Sequence, residues 1–242
     1  MIHVISLISA VIPSVLIIWY FYKKDLYPEP GLVITKTFFL GIFIIIPVLI
    51  VALPLLTINP FTQDPFNSAL YSAFITAAIP EEFFKFIVII WFCIKNPAFD
   101  EPMDGIVYGV VVSLGFATLE NILYVIQGGW GVAIMRALTA VPAHATWGAI
   151  MGFFIGQSVF DKKHKVSIVL GLIIAVFLHG SYDTALMFLS NTQDSIGIHE
   201  IMMSEVYAIL SFLIVFIFGI IWSLSIVKRL RKRQEEQKSQ IL

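Results

Sequence analysis

The sequence predicts an all-α, polytopic integral membrane protein: a helical bundle of about seven transmembrane helices, with its N-terminus outside and its C-terminus cytoplasmic. Three observations point there. Of 242 residues, 59% are hydrophobic and 13% charged, against about 45–50% and about 25% in a soluble domain. The apolar residues fall in runs long enough to span a bilayer. The loops between those runs alternate in charge.

The first run, about 3–22, lacks the basic n-region of a cleavable signal and reads as a retained first helix. The second is 32–56. The third, 68–94, carries IPEEFFKF at 79–86, so Glu81, Glu82 and Lys85 sit in its middle. The fourth, 105–127, contains GFATLEN with Glu120 and Asn121, and the fifth, 140–160, contains PAHATWG with His144. Apolar sequence already begins at Gly131 and is interrupted by Arg136 and Pro142, so a surface helix or a broken helix precedes the fifth span. The sixth, 166–189, contains LHGSYD with His179 and Asp183, and the seventh is 201–227. These spans leave no room for a soluble domain. Residues 1–242 read as one membrane domain with core motifs at 79–185 and a basic cytoplasmic tail at 228–242.

Lys23, Lys24, Lys95, Lys162, Lys163, Lys165 and the KRLRKR run at 228–233 fall on one side, and only Arg136 on the other. That asymmetry sets the orientation. Trp19, Tyr20, Tyr22 and Trp91 suit an inner aromatic belt, and Tyr124 and Trp130 an outer one. The expected location is the cell membrane, multi-pass. A net charge of −1 leaves no footprint for nucleic acid. The tail reads as a solvated anchor, with contact to anionic membrane lipid as the alternative. The lone Cys93 cannot form an intramolecular disulfide.

An ionisable group at the centre of a span costs roughly 2.5–3.5 kcal/mol on insertion scales, so its presence is a functional hypothesis by default. Glu81, Glu82, Glu120, His144, His179 and Asp183 all fall between the midplane and the outer face of this topology, where one polar cavity can collect them. Glu81 and Lys85 are four apart and able to pair; Glu82 with Lys85 at three apart is the other choice. Asp183 is four residues from His179 and can hold its ring N–H. The structural alternatives are a counter-ion role for Lys85, an interhelical hydrogen bond for Asn121 and a supporting role for Asp183.

Several protease chemistries are excluded. His199-Glu200 lacks the second histidine of a zinc-protease helix, since residue 203 is methionine. Ser113 has no nucleophile motif, and Asp183 has no aspartate partner deep in a span. Glutamates and histidines remain. They can activate water with a glutamate as base and imidazoles polarising the scissile carbonyl. Alternatively Glu82, His144 and His179 can hold a divalent metal such as zinc. The residues leave both open.

EEFFK, FATLEN, AHATWG and HGSYD, in this order on spans three to six, together with KDLYPEP at 24–30, resemble the PrsW family of intramembrane proteases. The resemblance covers about residues 20–190. A distant similarity extends to the CAAX prenyl protease and bacteriocin-immunity group, whose pattern has arginine, histidine and asparagine where this chain has Lys85, Glu120 and Asp183. The PrsW resemblance implies an intramembrane endopeptidase that cuts a single-pass regulatory protein, typically an anti-sigma factor, in a stress response. It also implies Glu81, Glu82, Glu120, His144 and His179 as active-site residues with Asp183 beside them; Glu82, alone or with Glu81, is then the expected activator of water, and Lys85 offsets part of the buried charge. The rival readings are an ion- or proton-coupled transporter using the same acids and histidines, and a non-catalytic scaffold that grips another span.

Overall fold

The computed structural model describes residues 2–160, 167–193 and 203–241, and among them there is no strand. Helix α1 is Ile2–Lys24; α2 (Gly31–Phe43) and α3 (Ile45–Thr57) meet at a break at Ile44. A helical run from Pro65 to Cys93 follows, consisting of α4 (Pro65–Tyr71), a π-helical segment π1 (Ser72–Ala78), α5 (Ile79–Val88) and a second one, π2 (Ile89–Cys93). Helix α6 is Pro102–Leu138, α7 Ala140–Phe160, α8 Ser167–Gln193 and α9 Met203–Ile241.

Among the described residues, four stretches are long and apolar enough to cross a membrane: Gly31–Thr57, Pro102–Phe160, Ile168–Thr192 and Met203–Gln240. The expected spans 105–127 and 140–160 both lie in the second of these, which turns at Thr139. The expected span 68–94 is helical but holds its three charged residues at mid-length and changes pitch twice. Lys162, Lys163, Lys165 and the His199-Glu200 pair lie outside the described residues. The outward faces are apolar: Leu32, Ile50, Trp91, Ile126 and Ile214 are each 67–69% exposed, a surface that suits lipid rather than water.

The pitch changes have local causes. Asp64 caps α4 through its side chain, accepting from Phe66 N and Asn67 N. Pro80 has no N–H to continue the i→i−4 ladder, and the turn before it is wide, with Ile79 N–H donating to Phe74 O. Ile94 N–H likewise donates to Ile89 O after the second wide turn. Such π turns rotate the following face and often accompany functional sites. Here they bracket α5, the carrier of EEFFK.

Helix α6 forms the centre of the core, with Ile106, Val110 and Leu114 fully buried. Glycines let α7 approach it closely: a Cβ on Gly109 would meet the Gly148 carbonyl carbon at 3.1 Å. At one end of the bundle, Gln234 of α9 donates to Asp25 Oδ1 (2.7 Å) and also bonds Glu101, while Arg231 donates to Lys24 O (3.1 Å). The linker after α1, the start of α6 and the far part of α9 therefore share one end. At the other end Asn191 of α8 donates to Pro65 O (3.2 Å).

Candidate active site

The wide turns around α5 present Glu81, Glu82 and Lys85 inward, and all three are buried. Lys85 Nζ lies 2.8 Å from Glu82 Oε1, 3.5 Å from Glu81 Oε2 and 3.1 Å from His144 Nδ1. The closer partner of the lysine is thus Glu82, three residues away, rather than Glu81, four away. Glu82 is fully buried and has the greater need of a counter-charge, whereas the Glu81 side chain keeps 11% exposure. The ammonium also sits 4.5 Å from the centre of the Phe116 ring, a cation–π contact.

Two histidines complete the centre. Helix α8 places His179 Nδ1 2.8 Å from Glu82 Oε1, with Nε2 3.1 Å from Asp183 Oδ2 and 3.9 Å from Glu81 Oε2. Helix α7 places His144 Nε2 2.9 Å from Glu120 Oε2. The imidazoles meet edge to face with centroids 5.2 Å apart. All six residues singled out in the sequence thus join one connected network drawn from α5, α6, α7 and α8. Asn121 makes the interhelical bond expected of it, donating to Ala10 O of α1 at 2.9 Å.

Arg136 was read in the sequence only as a loop charge, and here it belongs to the site. It lies 2.9 Å from Glu120 Oε2, donates to Asn121 Oδ1 at 3.0 Å and covers the Tyr124 ring at 4.1 Å. Sixteen residues along a straight helix span about 24 Å. The two side chains meet because α6 breaks at Gly129, whose φ of 67° and ψ of −152° fold the leg that follows back over the site. The broken helix expected before the fifth span is this leg. The adjacent glycines 128 and 129 ahead of a lone arginine were the available signal.

A cavity of about 400 Å³ opens beside the network, lined by Glu120, Arg136, His144, His179, Tyr182 and Asp183 and walled by Ile209, Phe212 and Leu213 of α9. Glu81 and Glu82 do not line it; both contact His179, which does, at 3.9 and 2.8 Å. A separate hollow of about 480 Å³ involving Phe66, Phe188 and Tyr207 has no carboxylate, histidine, lysine or arginine among its described lining residues.

The sequence profile described as PrsW family intramembrane metalloprotease matches residues 29–227. This chain belongs to that family. Proteins named Protease PrsW are 42% identical in Geobacillus kaustophilus over 185 residues (75% of this chain, 80% of that protein) and 42% identical in Bacillus subtilis over 190 residues (77% and 85%). The one from Shouchella clausii is 32% identical over 224 residues (92% and 96%). No solved structure matches. The chain is therefore a multi-pass membrane protein and an intramembrane protease of the PrsW type.

The PrsW residues fit a divalent metal. Glu81, Glu82, His144 and His179 each offer a donor atom within 4.8 Å of the others. Both histidine Nδ1 atoms face the Glu82–Lys85 pair, and both Nε2 atoms face carboxylates. Buried Glu82 Oε2 has no hydrogen-bond partner. Glu82, His144 and His179 would hold the ion, with Glu120 and Asp183 behind the imidazoles in the usual carboxylate–histidine–metal order. The Lys85 ammonium supplies the positive charge at that centre in this structure and would have to withdraw from it.

Proposed function

We propose that this PrsW family chain hydrolyses a peptide bond of a single-pass membrane regulatory protein, of the anti-sigma-factor kind, near the outer side of the membrane. The observation that carries hydrolysis is the unequal hold on two adjacent buried carboxylates. Glu82 Oε1 is fixed by two contacts of 2.8 Å. Glu81 meets the same partners only at 3.5 and 3.9 Å and keeps partial exposure. Neighbouring acids in different environments take different roles: Glu82, expected from the sequence as the base, anchors, and Glu81 is the general base.

In the proposed step a water admitted past His179 from the cavity, which Glu81 does not itself line, loses a proton to Glu81 as the water oxygen bonds to the scissile carbonyl carbon. The proton then passes to the amide nitrogen as the C–N bond breaks. Glu120 and Asp183 keep His144 and His179 oriented, and Lys85 offsets the buried negative charge. A divalent ion such as zinc, held by Glu82, His144 and His179, would supply Lewis acidity to the carbonyl.

The proposed topology is seven crossings, N-terminus outside and C-terminus cytoplasmic. It is supported by the end of the bundle that gathers Lys24, Asp25, Glu101 and Gln234, next to the basic tail. The cavity wall at Phe212 is 22 residues from Gln234, about 33 Å along α9, which favours an outer position for the cut.

The test is membrane proteomics on cells expressing wild type, Glu81→Gln or Glu82→Gln at matched levels, reading single-pass proteins shortened near their outer boundary. Wild type is expected to yield such a fragment, and Glu81→Gln to slow its appearance by about 10²- to 10⁴-fold. A Glu81→Gln variant that cuts at the wild-type rate removes the base from Glu81, and the absence of any fragment from wild type removes the proposed substrate class.

A further inference from the structure

A second set of acids lies at the end of the bundle where the linker after α1 meets α6 and α9. Asp25 and Glu29 come from the KDLYPEP segment, which the protease chemistry does not use, and Asp104 from the first turn of α6. Each offers one carboxylate oxygen within 4.8 Å of the others. The three residues are 6%, 3% and 0% exposed.

Their hydrogen bonds are incomplete in a telling way. Asp104 Oδ2 accepts from the backbone of Asp100 and Glu101, at 2.7 Å each. Asp25 Oδ1 accepts from Tyr27 N (3.0 Å) and Gln234 Nε2 (2.7 Å), and Glu29 Oε2 accepts from Tyr108 OH. The other oxygens of the two aspartates, Asp104 Oδ1 and Asp25 Oδ2, are buried with no N–H or hydroxyl donor on either, and the Asp104 and Glu29 carboxyls are in hydrogen-bonding contact with each other. Among the described residues no lysine, arginine or histidine forms an ion pair with any of the three. Buried carboxylates without a cation are costly, and orphaned oxygens inside such a cluster call for a ligand.

We infer that Asp25, Glu29 and Asp104 form a second metal site, separate from the protease centre, that takes a hard divalent cation of the Ca²⁺ type. Oxygen-only anionic donors select hard cations. Oxygens on opposite sides of Ca²⁺ lie about 4.6–5.2 Å apart, from bonds of about 2.3–2.6 Å, so a spread within 4.8 Å needs little rearrangement. The ion ties the linker to α6 and, through Gln234 on Asp25, to α9.

The experiment uses the full chain in non-ionic detergent, with Tb³⁺ as a luminescent probe excited through Tyr108 and displaced by Ca²⁺. Thermal unfolding with Ca²⁺ and then with a chelator is read in parallel. Wild type and Glu82→Gln are expected to give a Ca²⁺-displaceable signal and a chelator-reversible rise in midpoint temperature. Asp104→Asn and Asp25→Asn are expected to weaken Ca²⁺ by more than about tenfold, since even outer contacts to a metal are worth that much. The site is refuted if wild type gives no displaceable signal, or if the signal survives both aspartate variants and vanishes in Glu82→Gln. It is equally refuted if infrared spectra of wild type in Ca²⁺ show a protonated carboxyl band that Asp104→Asn removes, because a shared proton then resolves the cluster. Should Asp104→Asn fail to fold, Asp25→Asn and the wild-type titration decide.

Discussion

Arg136 holds Glu120, and Glu120 holds His144. A guanidinium suits this position because its planar fork reaches Glu120 and Asn121 together while its face lies over Tyr124. A lysine keeps the charge and loses the fork. Arg136→Lys is expected to lower kcat by about ten- to a hundredfold through misplacement of the imidazole, with KM little changed and the unfolding midpoint held. Kinetics on a purified substrate, set beside a melting curve, check this; a kcat loss that only tracks a falling midpoint would mark a structural role. The other six site residues were legible because each interrupts an apolar run where ionisable groups are costly. Arg136 was not, because it stands where such a run breaks off and so resembles an ordinary loop charge. The Glu82–Lys85 pairing was likewise illegible: three and four apart are both allowed on a helix, and burial of the second glutamate decided between them.

At the level of elements, the site depends on how helices are interrupted. Gly129 occupies a backbone region that is essentially reserved for glycine. Gly129→Ala is expected to cost about 1–3 kcal/mol and to release Arg136 from Glu120. The measurement is a melting curve together with cleavage rate, and the double variant with Arg136→Lys should lose little further activity because both changes break one contact. The spans themselves could be read from run length alone. The π turns within them could not, since a π turn changes hydrogen-bond register without changing composition; only the first of the two has a proline, Pro80, beside it to account for it. The break at Ile44 is the exception: Pro47 has no N–H for the Phe43 carbonyl and its ring crowds that carbonyl, so the ladder is interrupted there.

Across the whole molecule, the bonds among Lys24, Asp25, Glu101, Arg231 and Gln234 require the α1–α2 linker and the C-terminal tail to lie on the same side of the membrane. Single cysteines test the orientation in a Cys93→Ser background. Tyr27→Cys and Lys238→Cys, both at exposed positions, are expected to react with an impermeant thiol reagent only after permeabilisation, whereas Gln63→Cys reacts in intact cells. Equal labelling of Tyr27→Cys and Gln63→Cys in intact cells would overturn the seven-crossing arrangement.

Helix α9 is one unbroken rod from Met203 to Ile241, about 58 Å long at 1.5 Å per residue, nearly twice the thickness of a hydrocarbon core of about 30 Å. Phe212 near its start closes the side of the cavity, and Gln234 near its finish is fastened to Asp25. Between those two points it packs on α7 and α8, with Trp222 against Phe154 and with Phe212 and Phe216 against Tyr182. Pivoting it by about 10° at Gln234 would carry Phe212 sideways by roughly 6 Å, from the helical rise between them, enough to swing a side wall away from the histidines. The doorway to the protease centre and the fastening on the far side of the molecule therefore belong to one continuous element.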